Sequence, residues 1–365
     1  MKIVCFHLYN DYSGSPKVLK ILLDNILRKG IDVELITSKG GVLDELKGYG
    51  NIKYRRYCYR FSNNALVTML KYILVQIYTF FVALGYAFDR NAVFYINTIL
   101  PIGPAIAGRL TGKRVIYHCH ENATIKSSFY RTLAWMMQKL ASDIICVSNY
   151  QRSLLKRKER IEVIPNAIEE SFISRLQPNS ERAFAEKRIL MLGSLKQYKG
   201  TQEFAELARM LPQYRFELVL NDTQENIDIF LQTNDIKDIE NLILYPRQED
   251  VSPFYNRASV VLNLTNKKQA IETFGLTALE AMSAGLPVIV PTVGGIAEMV
   301  TDGVNGYKID VCNLQEIAEK IKNMLSNQDL YLSLSKCALK SSKMYNSTAM
   351  SDRIIHIIAG NKVNS

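Results

Sequence analysis

Two glutamates separated by seven residues, Glu272 and Glu280, stand in the run from Asn263 to Tyr307 with Gly275 between them. Phe274, Leu276, Leu279 and Met282 recur there at helical spacing, behind an apolar strand-like run from Val260 to Leu264. A helix beginning near Gly275 leaves Glu272 in the loop at the strand's carboxyl end, where open α/β sheets hold ligands. Glu280 then lies about two turns into the helix. The amides of Phe274, Gly275 and Leu276 fall at the helix start, where unpaired N–H groups and partial positive charge suit an anion. A phosphate there, with a carboxylate on each side to accept hydroxyl hydrogen bonds, describes a site for a nucleotide sugar.

Two further stretches carry chemistry. Lys199-Gly200 lies in the loop that opens from the strand-like run Ile189 to Gly193. His120-Glu121-Asn122 follows the strand-like run Arg114 to His118, again at a carboxyl end. His118 shares a strand face with His120, so spacing alone leaves open which histidine is functional.

The E-x7-E spacing, the following EAMSAGLPVIV and the pair Gly294-Gly295 with Glu298 resemble the donor-binding signature of the family 4 retaining glycosyltransferases. The resemblance covers most of the chain and is strongest from 189 to 310. It implies the GT-B architecture, two doubly wound α/β domains facing a central cleft. Residues 1–168 would form the acceptor-side domain, with a terminal helix at about 346–362 packing back onto it, and residues 169–345 the nucleotide-sugar domain. Glu272 and His120 would contact the donor sugar as the catalytic pair. Glu280 would bind the ribose hydroxyls, and Lys199 with Phe274, Gly275 and Leu276 the diphosphate. Gly14, in Ser13-Gly14, matches one glycine of the family's amino-terminal loop, and Asn166 belongs to a P-N-A-I version of its P-N-G-V junction. Ser194 stands where the family has arginine, which removes a bidentate fork from the diphosphate site. Arg247 is either its substitute or a surface cation.

The activity so implied is that of a hexosyltransferase. A nucleoside diphosphate sugar, UDP- or GDP-linked, would give its sugar with retention to an acceptor hydroxyl, in cell-surface polysaccharide assembly such as O-antigen or capsule. A catalytically silent partner subunit, suggested by Ser194 and Ala167, and a GT-B-type sugar-nucleotide epimerase are the alternatives. There is no D-x-D pair to hold a metal, so transfer is expected without metal or cofactor, with Lys199 and helix-start amides neutralising the leaving group.

These residues need alternating strands and helices to position them, and the chain supplies them twice. With 365 residues and 48% hydrophobic content it can bury two cores. Lys2 to Leu8, a helix from Pro16 with Val18, Leu19, Leu22, Leu23, Ile26 and Leu27 on one face, and Val33 to Thr37 open the first βαβ unit. Asp143 to Ser148 reads as a strand, followed by a basic helix through SNYQRSLLKRKER. Residues 174–187 read as a linker or exposed helix start, 314–325 and 347–359 as helices. Ala65 to Phe88 is long and apolar enough to suggest a membrane span, but Lys71, Gln76 and Asp89 favour a buried crossover helix, with one face available to lipid.

Six scattered cysteines without a C-x-x-C pair read as small apolar residues of a reducing compartment, and MKIVCFHLY as a buried strand rather than a leader. Net charge is +10, divided as +13 over residues 1–165 and −3 over 166–365. The basic half implies an anionic partner; no nucleic-acid module is recognisable, so a membrane surface carrying a lipid-linked or saccharide acceptor is the expectation. The protein is expected to be cytoplasmic and peripheral on the inner face of the plasma membrane. KYRRYCYR at 53–60 reads either as a solvated edge strand or as part of an anionic-interface patch, with Arg55, Arg56, Arg60, Arg152, Lys156, Arg157, Lys158 and Arg160 as candidates.

Overall fold

The computed structural model describes residues 1–360 apart from 63, 123–126, 158, 235 and 237–238. The chain forms two compact units, Met1–Ala167 with Tyr345–Ser365, and Ile168–Met344. Each is a parallel sheet covered by helices, the doubly wound class expected.

The first unit holds β1 (Lys2–His7), β2 (Asp32–Ser38), β3 (Ile52–Tyr57), β4 (Ala92–Asn97), β5 (Val115–Cys119), β6 (Asp143–Cys146) and β7 (Ile161–Val163). Their order is β3-β2-β1-β4-β5-β6-β7. The second holds β8 (Arg188–Gly193), β9 (Arg215–Leu220), β10 (Leu242–Tyr245), β11 (Val260–Leu262), β12 (Val288–Val290) and β13 (Gly306–Lys308), in the order β10-β9-β8-β11-β12-β13. Strand order reverses beside β1 and β8, so each carboxyl edge has a crevice at that point. Ile3, Val4 and Cys5 in β1, and Ile189, Leu190 and Met191 in β8, are buried, as strands covered on both faces must be.

Buried charges on the second strand of each sheet are paired. Glu34 in β2 receives Lys2 at 3.0 Å and Arg55; Glu217 in β9 receives Arg188 at 3.1 Å and Arg257 at 3.0 Å. Burial pushes the Glu34 carboxyl up, but Tyr86, Arg55 and Lys2 outweigh it and hold its pKa at about 2. The terminal helix Ser347–Ile358 packs on the first unit. Its Asp352 meets Lys29 at 2.8 Å, and the Ile358 carbonyl accepts from Arg114 at 3.2 Å.

Three expectations change. The apolar crossover is a helix over Ala65–Leu84, capped by Asn64, but it is not buried: one face carries Tyr72, Val75, Gln76, Thr79 and Ala83 inward while Leu66, Leu70, Leu74 and Phe81 are exposed. The basic helix stops at Ser153, because the Arg157 guanidinium instead donates to the carbonyls of Gln138, Ala141 and Ser142 at the end of the helix Ser128–Leu140. A helix over Gln328–Ser342, capped by Asn327 and burying Tyr331, Leu334 and Ala338, was not anticipated.

The candidate cationic patch is also largely consumed by pairing. Residues 52–57 are the edge strand β3, where Arg55 pairs with Glu34 and Arg56 with Asp44 at 2.6 Å while lying over the Tyr54 ring. Arg160 pairs with Asp143 at 3.1 Å. Arg60, Arg152 and Lys156 remain exposed, and Lys158 lies outside the described residues.

The helix Ala65–Leu84 is seated by Gln76, whose side-chain oxygen accepts from the amides of Ile102 at 2.8 Å and Gly103 at 3.0 Å, capping the helix Gly103–Leu110. A Cβ at Gly103 would lie 2.1 Å from the Gln76 carbonyl oxygen. Gly103→Ala is therefore expected to destabilise the first unit by about 1–3 kcal/mol, read as a lower denaturant midpoint. An unchanged midpoint would show that the two helices separate without cost.

Candidate functional site

In the second unit the carboxyl ends of the strands bring the expected residues together. β8 ends at Gly193; the Gly193 carbonyl accepts from Asn221 at 2.9 Å, and Asp222 accepts from the Arg247 amide at 3.0 Å, so the loops after β8, β9 and β10 lie side by side. Ser194 follows in the first of these, its carbonyl accepting from Thr201 at 3.3 Å. Arg247 is exposed in the third. Lys199 closes a short turn, Gln197–Lys199, before the helix Thr201–Met210.

The Lys199 ammonium donates to Oε1 of Glu272, which also accepts from the Thr265 hydroxyl at 3.0 Å. Both charged side chains are partly buried. Burial pushes the Glu272 carboxyl up, but Lys199 and Thr265 more than offset this and hold it below the usual carboxylate range. Glu272 is thus an anion at neutral pH with one oxygen committed to Lys199 and Thr265.

Two glycines make the loop possible. Gly275 caps the helix Leu276–Ser283 with φ +99°, and a Cβ there would lie 2.5 Å from Ile296. Gly294 has φ +103°, with a Cβ position 2.5 Å from the Glu272 carbonyl oxygen, which accepts from the Gly295 amide at 2.9 Å. The backbone of Glu272 is therefore clamped while its side chain faces Lys199. Phe274 is buried, so only its backbone is available to an anion; Leu276 is half-buried at the first position of the helix.

Glu280 has a different partner. It accepts at 2.6 Å from Tyr255, a fully buried phenol that burial, and then Glu280 itself, push well above the ordinary tyrosine value. Tyr255 therefore remains a donor that fixes one carboxylate oxygen.

The first unit assembles a second cluster. His120, one residue past β5, lies with its ring 4.2 Å from that of His118. Its Nε2 donates to Asn97 Oδ1 at 3.0 Å, and Asn97 Nδ2 donates to His7 Nδ1 at 3.1 Å and to the Ser15 carbonyl at 3.3 Å. Asn97, at the end of β4, thus ties His120 to the first turn of the helix Gly14–Arg28, which Gly14 opens. His118 is fully buried, with Nδ1 2.7 Å from the Tyr95 hydroxyl, whereas His120 is partly exposed. Of these two histidines, His120 is the one with accessible surface.

All three imidazoles are kept neutral by burial. His7 is lowered to about 4 and His118 to about 3; His120 is lowered well below its ordinary value by burial, His118 and His7. A cavity of about 240 Å³ opens beside this strand end, lined by Cys119, Glu121, Arg131, Trp135, Gln151 and Lys156. Asn166, in contrast, is buried with an Oδ1 that makes no hydrogen bond among the described residues.

Thr265, Tyr255, Asn97 and His7 were not singled out from sequence. Asn97 and Thr265 had a signal, a polar residue closing an apolar strand; Tyr255, inside a short helix, had none. Among the described residues no group of three His, Cys, Asp or Glu side chains is arranged to hold a metal ion.

Residues 174–341 match the profile of the family described as Glycosyl transferases group 1, and residues 12–172 that of Glycosyltransferase Family 4. The chain is 25% identical to the capsular polysaccharide biosynthesis glycosyltransferase CapM of Staphylococcus aureus over 364 aligned positions, 89% of this chain and 88% of that one. An uncharacterized glycosyltransferase of Haemophilus influenzae is 28% identical over 213 residues, 56% of this chain and little over half (58%) of that one. Among solved structures, Anabaena Alr3699/HepE, crystallised in complex with UDP and glucose, superposes with a TM-score of 0.77 at 19% identity, covering 98% of this chain and 99% of that one. The fold is GT-B.

The neutral histidines set a pH dependence. An imidazole titrating near 6.5 when unfolded and at about 4 or about 3 when folded binds fewer protons in the folded state across that interval. Its contribution is present above pH ~6.5 and is lost as pH falls. Folding stability is expected to drop on acidification from pH ~6.5 toward 4, and His118→Gln to remove about one proton, ~1.4 kcal/mol per pH unit, from that slope. Denaturant titrations at stepped pH measure it; an identical slope in the variant would mean that His118 is not the group being excluded from protonation.

Proposed function

The chain belongs to the group 1, family 4 glycosyltransferases, and from that premise we propose that it transfers a sugar, with retention at the anomeric carbon, from a nucleoside diphosphate sugar to an acceptor hydroxyl. The observation that carries the reading is the Lys199–Glu272–Thr265 cluster beside the Gly275 helix start, with Glu280 separately fixed by Tyr255. It supplies what such a donor requires: a cation and helix-start amides for the diphosphate, and two carboxylates with different partners for two sets of hydroxyls.

In this reading the bond between the sugar and the diphosphate breaks with its electron pair going to the phosphate oxygen. Lys199 and the amides at Gly275 and Leu276 stabilise that developing charge, and this stabilisation does more to lower the barrier than any other contact the protein offers. Glu272, anionic and clamped by its backbone, orients the sugar. His120, neutral and oriented by Asn97, offers a hydrogen bond rather than a charge. No metal ion is needed for leaving-group neutralisation. Because Alr3699/HepE was crystallised with UDP, a UDP-linked donor is the first to test, with GDP-linked donors beside it.

The acceptor in this proposal is a saccharide, free or carried on a lipid, in surface polysaccharide assembly, and the protein works peripherally at the cytoplasmic face of the membrane. The name of the Staphylococcus aureus relative and the basic first half of the chain support this.

Glu272→Gln is expected to lower kcat on the order of a hundredfold with little change in donor Kd, since its interaction grows in the transition state. Glu280→Gln is expected to weaken donor binding about ten- to a hundredfold with a smaller effect on kcat. Steady-state kinetics with calorimetric donor binding separates them; wild-type behaviour in both variants would sink the assignment. Turnover is also expected to persist in excess EDTA, and a loss restored by Mg²⁺ or Mn²⁺ would overturn metal independence. Nucleotide release that is fast without acceptor would point to an epimerase, and none with any acceptor to a silent subunit.

A further inference from the structure

The helix Ala65–Leu84 has its polarity reversed for a protein surrounded by water. Its inward face mixes Tyr72, Gln76 and Thr79 with Val75 and Ala83, while Leu70, Leu74 and Phe81 are 58%, 56% and 65% exposed on the outward stripe. Leu66, Ile73 and Ile77 continue that stripe at helical spacing, and Phe61 and Phe88 extend it beyond both ends. A soluble crossover helix carries the opposite arrangement.

The helix is long and apolar enough to cross a bilayer, with 20 residues and a mean hydropathy of 1.7 over 18 of them. Its inner face forbids this. Tyr72 donates to the Leu100 carbonyl at 2.7 Å, Gln76 caps the neighbouring helix, and the backbones approach closely at Gly103. Lipid surrounding the helix would strip those contacts, so lipid has access to the outer stripe alone.

Charge indicates what covers the stripe. Of the nine Lys and Arg between residues 51 and 120, a stretch whose one acid is Asp89, Arg55, Arg56 and Arg114 are paired with Glu34, Asp44 and Asp143. Exposed Arg60 precedes the helix and exposed Arg90 follows it. Cations at both ends of an apolar stripe suit anionic headgroups above acyl chains. A second copy docked there would bring the same arginines together.

We propose that the outward face of Ala65–Leu84 lies in the plane of an anionic lipid surface, with Leu70, Leu74 and Phe81 in the acyl boundary and Arg60 and Arg90 at the headgroups. This deepens the peripheral location proposed above. It replaces attachment through Arg55 and Arg56, which are engaged by Glu34 and Asp44.

The test reads vesicle binding without turnover, so the transferase assignment and the membrane face can fail separately. The full chain is floated with phosphatidylcholine vesicles, with and without phosphatidylglycerol, at low and high salt. Binding is expected on the anionic vesicles, weakened but not abolished by salt. The triple variant Leu70→Gln, Leu74→Gln, Phe81→Gln is expected to lose on the order of a hundredfold in partitioning, with unchanged Tm and donor binding because all three positions are exposed. Arg60→Glu with Arg90→Glu should weaken binding at low salt more than at high salt. Wild-type partitioning by the triple variant, or no flotation of the wild type with either vesicle, overturns the proposal. A dimer in sedimentation that the triple variant splits, without vesicle binding, would assign the face to a second copy instead.

Discussion

Parallel strands cannot be joined by a tight turn, so each is followed by a crossover, and the crossovers cover both faces of the sheet. Everything in this protein follows from that constraint. Interior strand positions are given to Ile, Val, Leu and Phe, and the polar groups that could act on a ligand gather where strands end. Asn97 closes β4, His120 follows β5, Lys199 lies beyond β8 and Glu272 beyond β11. The reversal of strand order beside β1 and β8 determines which of those ends stand together.

The two units solve the cost of partly buried polar chemistry in opposite ways. In the first, charge is removed: His7, His118 and His120 are held neutral, His7 and His120 joined through Asn97 and His118 held by Tyr95. In the second, charge is kept and paired: Lys199 and Glu272 neutralise each other. Thr265 adds a neutral donor to the same Glu272 oxygen.

Elements with a strong period were legible from sequence, as were residues in the long E-x7-E run. The run of strands and helices, the Gly275 helix start and the separation of Glu272 from Glu280 follow from hydrophobic spacing and glycine placement. What escaped depended on partners far away in the chain. Tyr255 reaches Glu280 across 25 residues and Asn97 reaches His7 across 90, and neither link leaves a local pattern. The KRKER segment has the composition of a helix, but the Arg157 guanidinium finds three carbonyls elsewhere and the backbone follows it. Apolar content makes Ala65–Phe88 resemble a span, and Lys71, Gln76 and Asp89 argue for burial, whereas in the fold Gln76 and Thr79 turn inward and leave the apolar stripe outside.

The terminal helix Ser347–Ile358 belongs to the unit whose other residues end at Ala167. During synthesis the second unit is a continuous stretch and can close as soon as it has left the ribosome. The first waits for Lys29, Arg114 and the carbonyl of Val163 to meet Asp352, Ile358 and Arg353. At ~5–20 residues per second the wait is roughly ten to thirty-five seconds. Over that interval the helix Gly14–Arg28 lacks the cover its terminal partner provides, so the amino-terminal unit is complete only after the whole second unit has been made.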